Sequence, residues 1–204
     1  MTIRRGEPWG SAVAEVPAEA VVVTDDRSAR LAVEDALLRG TPPPPLALRA
    51  GDLARTMGAP MPSHARPDGV VMRLPLDAVK ATIDGQERVF VAHFVARRGW
   101  WRGPVVAAMN AEWLGRWDVA PRSHPDDGLV DVLEANLHLN DRLKARSRLP
   151  TGTHLPHPSI TVRRMASVDL DFARPLDIWL DGERLGRATA ASLTVLPDAL
   201  VGYL

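Results

Sequence analysis

The stretch "VVVTDDRSARLAVEDALL", residues 21–38, reads as a short strand, a tight turn and a helix. Asp26 or Ser28 can cap the helix; Leu31, Ala32, Asp35 and Leu38 recur at helical spacing; Gly40 followed by Pro42 ends it. In many α/β proteins such a turn cradles a phosphate, and it does so with glycines, because only glycine lets the backbone amides close around the anion. Here the turn is Thr24-Asp25-Asp26-Arg27-Ser28, with two carboxylates and no glycine.

Working outward, "PLALRA" and "GDLARTMG" repeat the alternation, so residues 20–58 read strand, helix, strand, helix. Residues 59–69, "APMPSHARPDG", are rich in proline and turn formers and read as a linker. From residue 70 the pattern changes to short alternating runs, with Asp84-Gly85 and Asp181-Gly182 as hairpin signals. One helix interrupts them at 139–149, with Asn140 or Asp141 as cap. The expected architecture is α/β plus mainly β. A shortened α/β nucleotide-binding-like lobe, 1–69, is followed by an antiparallel β-sandwich lobe, 70–204.

The 204 residues suffice for one ordinary domain or two small ones with a real core. No apolar run reaches the ~18 residues of a membrane span. The start, "MTIRRGEPWGSAV", lacks the apolar middle of a secretory signal, so the expected location is the cytoplasm. Cysteine is absent, which excludes disulfides, thiolate metal sites and cysteine nucleophiles. A net charge of +0 argues against a nucleic-acid partner, which usually selects a basic excess.

Four local features bear on chemistry. In "SHPDDGLVDVLE", residues 123–134, Asp126-Asp127-Gly128 make a turn that is either a plain hairpin turn or a hard-cation site pairing a carboxylate with backbone carbonyls. In "IWLDGERLGRA", Glu183 follows a hairpin turn as solvated surface or as a general base. His154 and His157 have metal-ligand spacing but no third ligand at a convincing distance, so a loop is the better reading. Trp100 and Trp101, with Arg97, Arg98 and Arg102, combine the residue types of membrane interfaces and protein hot spots.

In this order these stretches resemble the bacterial diacylglycerol kinase family of lipid kinases, within the NAD kinase/diacylglycerol kinase-like superfamily. "VVAAMNAEWLGRWDVAPRSHPDDGLVDVLE" is similar to that family's "N-G-x-Y-x-G-G-G … A-P-x-A-x-x-D-D-G-L-L-D-V" block, and "LPTGTHLPHPSITVRRMASVDL" to its "G-x-H-x-x-x-P-x-V" strand pair. "DIWLDGERLG" and "LTVLPDALVGYL" resemble its "V-x-x-D-G-E-x-L" and "V-L-P-x-A-L-x-V" ending. The likeness covers residues 75–204 well and decays toward the front.

There, "PPLALRAGDLARTMGAP" looks like a shortened "L-G-x-L-P-x-G-T-G-N-D-x-A-R-x-L-G-I-P". Asp25, Asp26, Arg27, Ser28 and Ala29 fall where the family writes Gly-Gly-Asp-Gly-Thr, and Arg49-Ala50-Gly51-Asp52 stands for its Gly-Thr-Gly-Asn-Asp. The chain is expected to lack the family's first strands as well.

The resemblance implies Mg²⁺ at the Asp127 side chain with the carbonyls of His124 and Leu129, and it implies Glu183 as the base toward a lipid hydroxyl. It also implies a nucleotide site at Asp25, Asp26, Arg27, Ser28, Gly51 and Asp52, degraded because side chains, two of them acidic, replace amide-exposing glycines. The expected function is a catalytically degenerate lipid-kinase relative, a pseudokinase that binds lipid or protein. It is set against an active Mg²⁺-dependent lipid kinase and against an oligomeric scaffold. Lipid or membrane-surface contact through the tryptophan–arginine face, and a homo-oligomer or protein partner at open sheet edges, complete the expectation.

Overall fold

In the computed structural model, residues 9–59, 70–99 and 102–204 are described. Strand β1 (Ser11–Val13) precedes β2 (Val21–Val23), α1 (Asp26–Leu38), β3 (Leu46–Leu48) and α2 (Asp52–Thr56). Then come β4 (Val71–Ile83), β5 (Gln86–Phe90), β6 (His93–Arg97), β7 (Val105–Met109), β8 (Trp113–Leu114), β9 (Trp117–Asp118) and β10 (Val130–Ala135). Helix α3 (Leu139–Arg148) leads to β11 (Ile160–Met165), β12 (Ser167–Leu180) and β13 (Glu183–Tyr203). The expected class holds: a short α/β segment is followed by a mainly antiparallel, sandwich-like sheet. Both hairpin signals form, with Asp84 and Gly85 at φ 45° and 84° and Asp181 and Gly182 at φ 46° and 82°. Positive φ at both central residues is the type I′ geometry that matches strand twist. Among the described residues no helix is long and apolar enough to cross a membrane.

The main sheet runs β1-β4-β13-β12-β6-β7-β10-β11, with β5 on β4. At 21 residues, β13 is long enough to serve two neighbourhoods. Its first part pairs with β12 and its second part, from Ala191 to Tyr203, with β4; its end also pairs in parallel with β3, Gly202 to Leu46 and Tyr203 to Ala47, and β3 in turn pairs with β2. The α/β segment therefore hangs on the last strand of the chain, a sequence separation of about 150 residues that no local pattern announces.

Alternation along the strands sorts side chains into two large apolar layers and a smaller cluster of Val95, Ala107, Met109, Val119, Ala120 and Leu133. One layer gathers Val79, Phe90, Phe94, Val130, Ile178 and Leu193; Phe90 and Phe94 are fully buried with ring centroids 6.3 Å apart. The other packs Val23, Val33, Leu46 and Leu53 of the α/β segment on Leu76, Val89, Val91 and Leu200. Truncating a buried phenylalanine such as Phe90 costs about 3–5 kcal/mol.

Three local expectations are corrected. The N-cap of α1 is Asp25, neither Asp26 nor Ser28: its carboxylate accepts from Ser28 N at 2.6 Å while the Ser28 hydroxyl reciprocates, a capping box. The buried face of α1 is Asp26, Ala29, Arg30 and Val33, whereas Leu31 is 53% exposed, because the helix docks through polar as well as apolar groups. The N-cap of α3 is His138 with no side-chain cap, in place of Asn140 or Asp141. Residues 60–69 of the expected linker lie outside the described residues.

Candidate functional site

The turn between β2 and α1, the start of α2, the β5–β6 corner and the β12–β13 hairpin converge. Asp26 reaches across to α2: its Oδ2 accepts from Asp52 N at 2.8 Å and its Oδ1 from Leu53 N at 2.9 Å. That contact explains Gly51, whose φ is +112° and where a Cβ would lie 2.7 Å from Asp26 Oδ1. Asp52 in turn accepts from Gly115 N at 2.8 Å and meets His93 Nε2 at 3.1 Å. Each of the two helix N-termini thus holds a carboxylate of the chain itself, on the amides that elsewhere bind phosphate.

Behind this lies Asp181, fully buried, accepting from Val91 N (3.0 Å), Ala92 N (2.9 Å) and His93 N (2.9 Å). Arg30, also fully buried, pairs with Glu34 at 2.9 Å and with Glu183, and its Nε lies 4.0 Å from Asp181. Arg27 closes on Glu183 from the solvent side at 3.0 Å. Glu34 also takes Arg88 (2.8 Å) and Val89 N (3.1 Å), tying α1 to β5.

Burial first, and the Asp181 charge second, push the Asp26 carboxyl up to about 6. Burial also raises Asp181. It opposes the charge on His93 too, yet the Asp52 hydrogen bond and the Asp181 and Asp26 charges outweigh it and His93 is raised. On Asp52 burial is again outweighed, here by His93 and Gly115, and the carboxyl is lowered. The Arg27 hydrogen bond holds Glu183 below the usual carboxylate range, helped by the Arg27 and Arg30 charges. Asp26, Asp52 and His93 each offer a ligand atom within 4.8 Å of the others, the one such trio among the described residues. Their atoms are already engaged with backbone amides and with each other.

The structure thus brings Asp26, Arg27, Ser28, Gly51, Asp52 and Glu183 together. Sequence reasoning missed His93, Asp181, Arg30 and Glu34. A histidine inside the apolar run "VAHFVA" was the available signal; Arg30 and Glu34, outside the helical spacing of Leu31, Ala32, Asp35 and Leu38, gave none.

The Asp126-Asp127-Gly128 turn forms a second acidic group. The Asp127 carboxylate accepts from Leu129 N at 2.9 Å and pairs with Arg164. A hard cation at this side chain would compete with that guanidinium, so the fit is poor. Neighbouring Asp77 accepts from Gly128 N (2.7 Å) and Asp198 N (2.9 Å), and burial lifts both Asp77 and Asp126 to about 6. His124 packs edge-on to Trp9 at 4.4 Å, and burial lowers it. Trp100 and Trp101 lie outside the described residues; Arg98 and Arg102 are exposed, while the Arg97 guanidinium lies 4.9 Å from the Trp179 ring centroid.

Beyond these polar groups, an apolar cavity of about 130 Å³ opens between β7, β10 and α3, with Arg142 and Arg146 on its helical wall.

Among solved structures, "Crystal structure of a putative diacylglycerol kinase from Bacillus anthracis str. Sterne" superposes with a TM-score of 0.59 at 15% identity, covering 78% of this chain and 69% of that one. "The crystal structure of a diacylglycerol kinases from Bacillus anthracis str. Sterne" gives 0.53 at 16% identity, covering 78% of this chain and 66% of that one. At this identity the likeness is one of fold. No curated protein matches the chain. Residues 72–201, more than half of the sequence, match the YegS C-terminal NAD kinase beta sandwich-like domain, and the chain belongs to that family.

Proposed function

We propose that this protein is a lipid-kinase relative that has lost phosphotransfer and acts by binding, with a lipid as its ligand. The observation that carries the reading is the filling of both helix N-termini by the chain's own carboxylates, Asp25 on Ser28 N and Asp26 on Asp52 N and Leu53 N. A nucleotide phosphate would need those amides and would meet like charge. Glu183 supports the same reading: a carboxylate whose pKa is held down by Arg27 and Arg30 is a weaker base toward a lipid hydroxyl. The apolar cavity beside α3 supports lipid as the ligand class.

The test is twofold. ATP with Mg²⁺, titrated by calorimetry, binds weaker than about 1 mM, roughly −4 kcal/mol. Incubation with ATP and diacylglycerol yields no phosphorylated lipid, and Glu183→Gln binds lipid as the parent does. A working general base contributes ~10²–10⁴-fold to rate. Phosphotransfer by the parent that collapses in Glu183→Gln would therefore overturn the reading.

A further inference from the structure

A second cavity, of about 550 Å³, adjoins the apolar one across Leu133 and Ile160, which line both. It is the more polar of the two, with Arg122, Asp131, His157 and Arg164 set among apolar side chains. Asp131 lines it and is nearly wholly buried, at 3% exposure. Asp131 Oδ1 meets Arg164 Nε at 3.2 Å, but Oδ2 has no donor. The nearby Ser123 hydroxyl does not supply one, because its proton goes to Met109 O at 3.0 Å. A buried carboxylate oxygen without a donor is expensive to maintain unless something fills it.

The other polar groups of this cavity are donors. Arg122 is exposed and has no carboxylate partner among the described residues. His157 accepts Ser159 N–H at Nδ1, 3.1 Å, so its neutral ring carries the proton on Nε2 and donates there. The apolar cavity next door is close in size to the ~150 Å³ engineered cavity that takes benzene, which suits the end of one acyl chain rather than two.

We infer that the joined cavities bind a single-chain phosphoglycerolipid of the lysophosphatidate type. This rests on the lipid-binding reading above and adds to it the headgroup and where it sits. The phosphate monoester takes the Arg122 and His157 donors at the mouth, the free glycerol hydroxyl donates to Asp131 Oδ2 below, and the chain passes Leu133 and Ile160 into the apolar cavity. Donors at the cavity and one unfilled acceptor in its wall match a ligand carrying both a phosphate and a hydroxyl, once Asp131 turns Oδ2 toward it. A fatty acid lacks the hydroxyl, and a monoacylglycerol lacks the anion.

The experiment is equilibrium binding of oleoyl lysophosphatidate below its micelle threshold, followed by calorimetry and by tryptophan fluorescence, since Trp117 lines the apolar cavity. Oleoylglycerol, oleate and glycerol 3-phosphate are the comparison ligands. The expected result is binding of lysophosphatidate at least about ten-fold tighter than any of these. Arg122→Glu, at an exposed position that leaves the fold intact, should weaken it by about ten-fold or more, as loss of a charge-assisted hydrogen bond predicts. Ile160→Trp, which narrows the junction, should weaken both oleoyl lipids and leave glycerol 3-phosphate unchanged. Oleoylglycerol binding as tightly as lysophosphatidate, or lysophosphatidate binding untouched by Arg122→Glu, overturns the headgroup assignment while lipid binding stands. Absence of binding by every oleoyl lipid overturns both.

Discussion

Arg30 and Glu183 are 153 residues apart in the chain, yet the fully buried guanidinium of the first, on α1, holds the carboxylate of the second at the start of β13. The contact couples the α/β segment to the hairpin that also carries Asp181, and it makes one arginine the counter-ion of Glu34 and Glu183 with Asp181 close by. The group that would serve as a base is thereby a structural ion-pair partner.

Arg30→Met should therefore destabilise the fold strongly. Removing one partner of a buried ion pair leaves the other uncompensated and costs about 3–5 kcal/mol. Urea denaturation measures it. Arg30→Lys should recover only part, because a single ammonium cannot reproduce the planar fork that meets two glutamates. A loss under about 1 kcal/mol for Arg30→Met would show the pair to be dispensable.

Stability should rise as pH falls from 8 toward 4. The folded Asp26 carboxyl titrates at about 6 against an ordinary 3.8. Between about pH 4 and 6 the native state keeps a proton that the unfolded chain releases, so the stability linked to this group is present at low pH and lost as pH rises through 6. The gap is worth about 3 kcal/mol. His93, raised above 6.5, acts in the same direction at higher pH. Glu34 and Asp52, which are lowered, act oppositely and lose their contribution as pH drops below about 4. Thermal melts across pH should show the maximum near 4, and Asp26→Asn should reduce the slope between 4 and 6, to which Asp77 and Asp126, also raised to about 6, contribute in the same direction. The slope is the readout, since asparagine also loses one capping acceptor; an unchanged slope would remove Asp26 from the account.

At the Asp127 turn, EDTA and added Mg²⁺ should leave the melting temperature unchanged, because Arg164 already neutralises the carboxylate. Asp127→Ala should still cost about 1 kcal/mol through the lost Arg164 and Leu129 contacts. A cation at a hundred times its Kd would add about 2.7 kcal/mol. An EDTA-sensitive melting temperature in the parent that vanishes in Asp127→Ala would establish a metal site there.

Much of the fold was legible in the sequence because its signals are local. Asp84-Gly85 and Asp181-Gly182 dictate type I′ hairpins by backbone sterics alone, and the strand–turn–helix of 21–38 and the alternating runs after 70 follow from side-chain period. Local reasoning also picked out the carboxylates of the β2–α1 turn, which lie on the amides of Ser28, Asp52 and Leu53. It failed where a side chain had a choice of partners. Asp25 rather than Asp26 caps α1 because Asp26 finds a better use capping α2, 26 and 27 residues on. Arg30 buries itself, although helical spacing pointed to Leu31, Ala32, Asp35 and Leu38, because Glu34 on its own helix and Asp181 and Glu183 of the β12–β13 hairpin surround it. Pairing of β3 with the end of β13, the descent of His93 onto Asp52, and the place of Leu133 and Ile160 in the walls of two cavities are likewise products of chain crossings. The sequence by itself determined which elements form and where they turn; the tertiary structure decided which charges neutralise which, because an ion pair is fixed by proximity in space and carries no period along the chain.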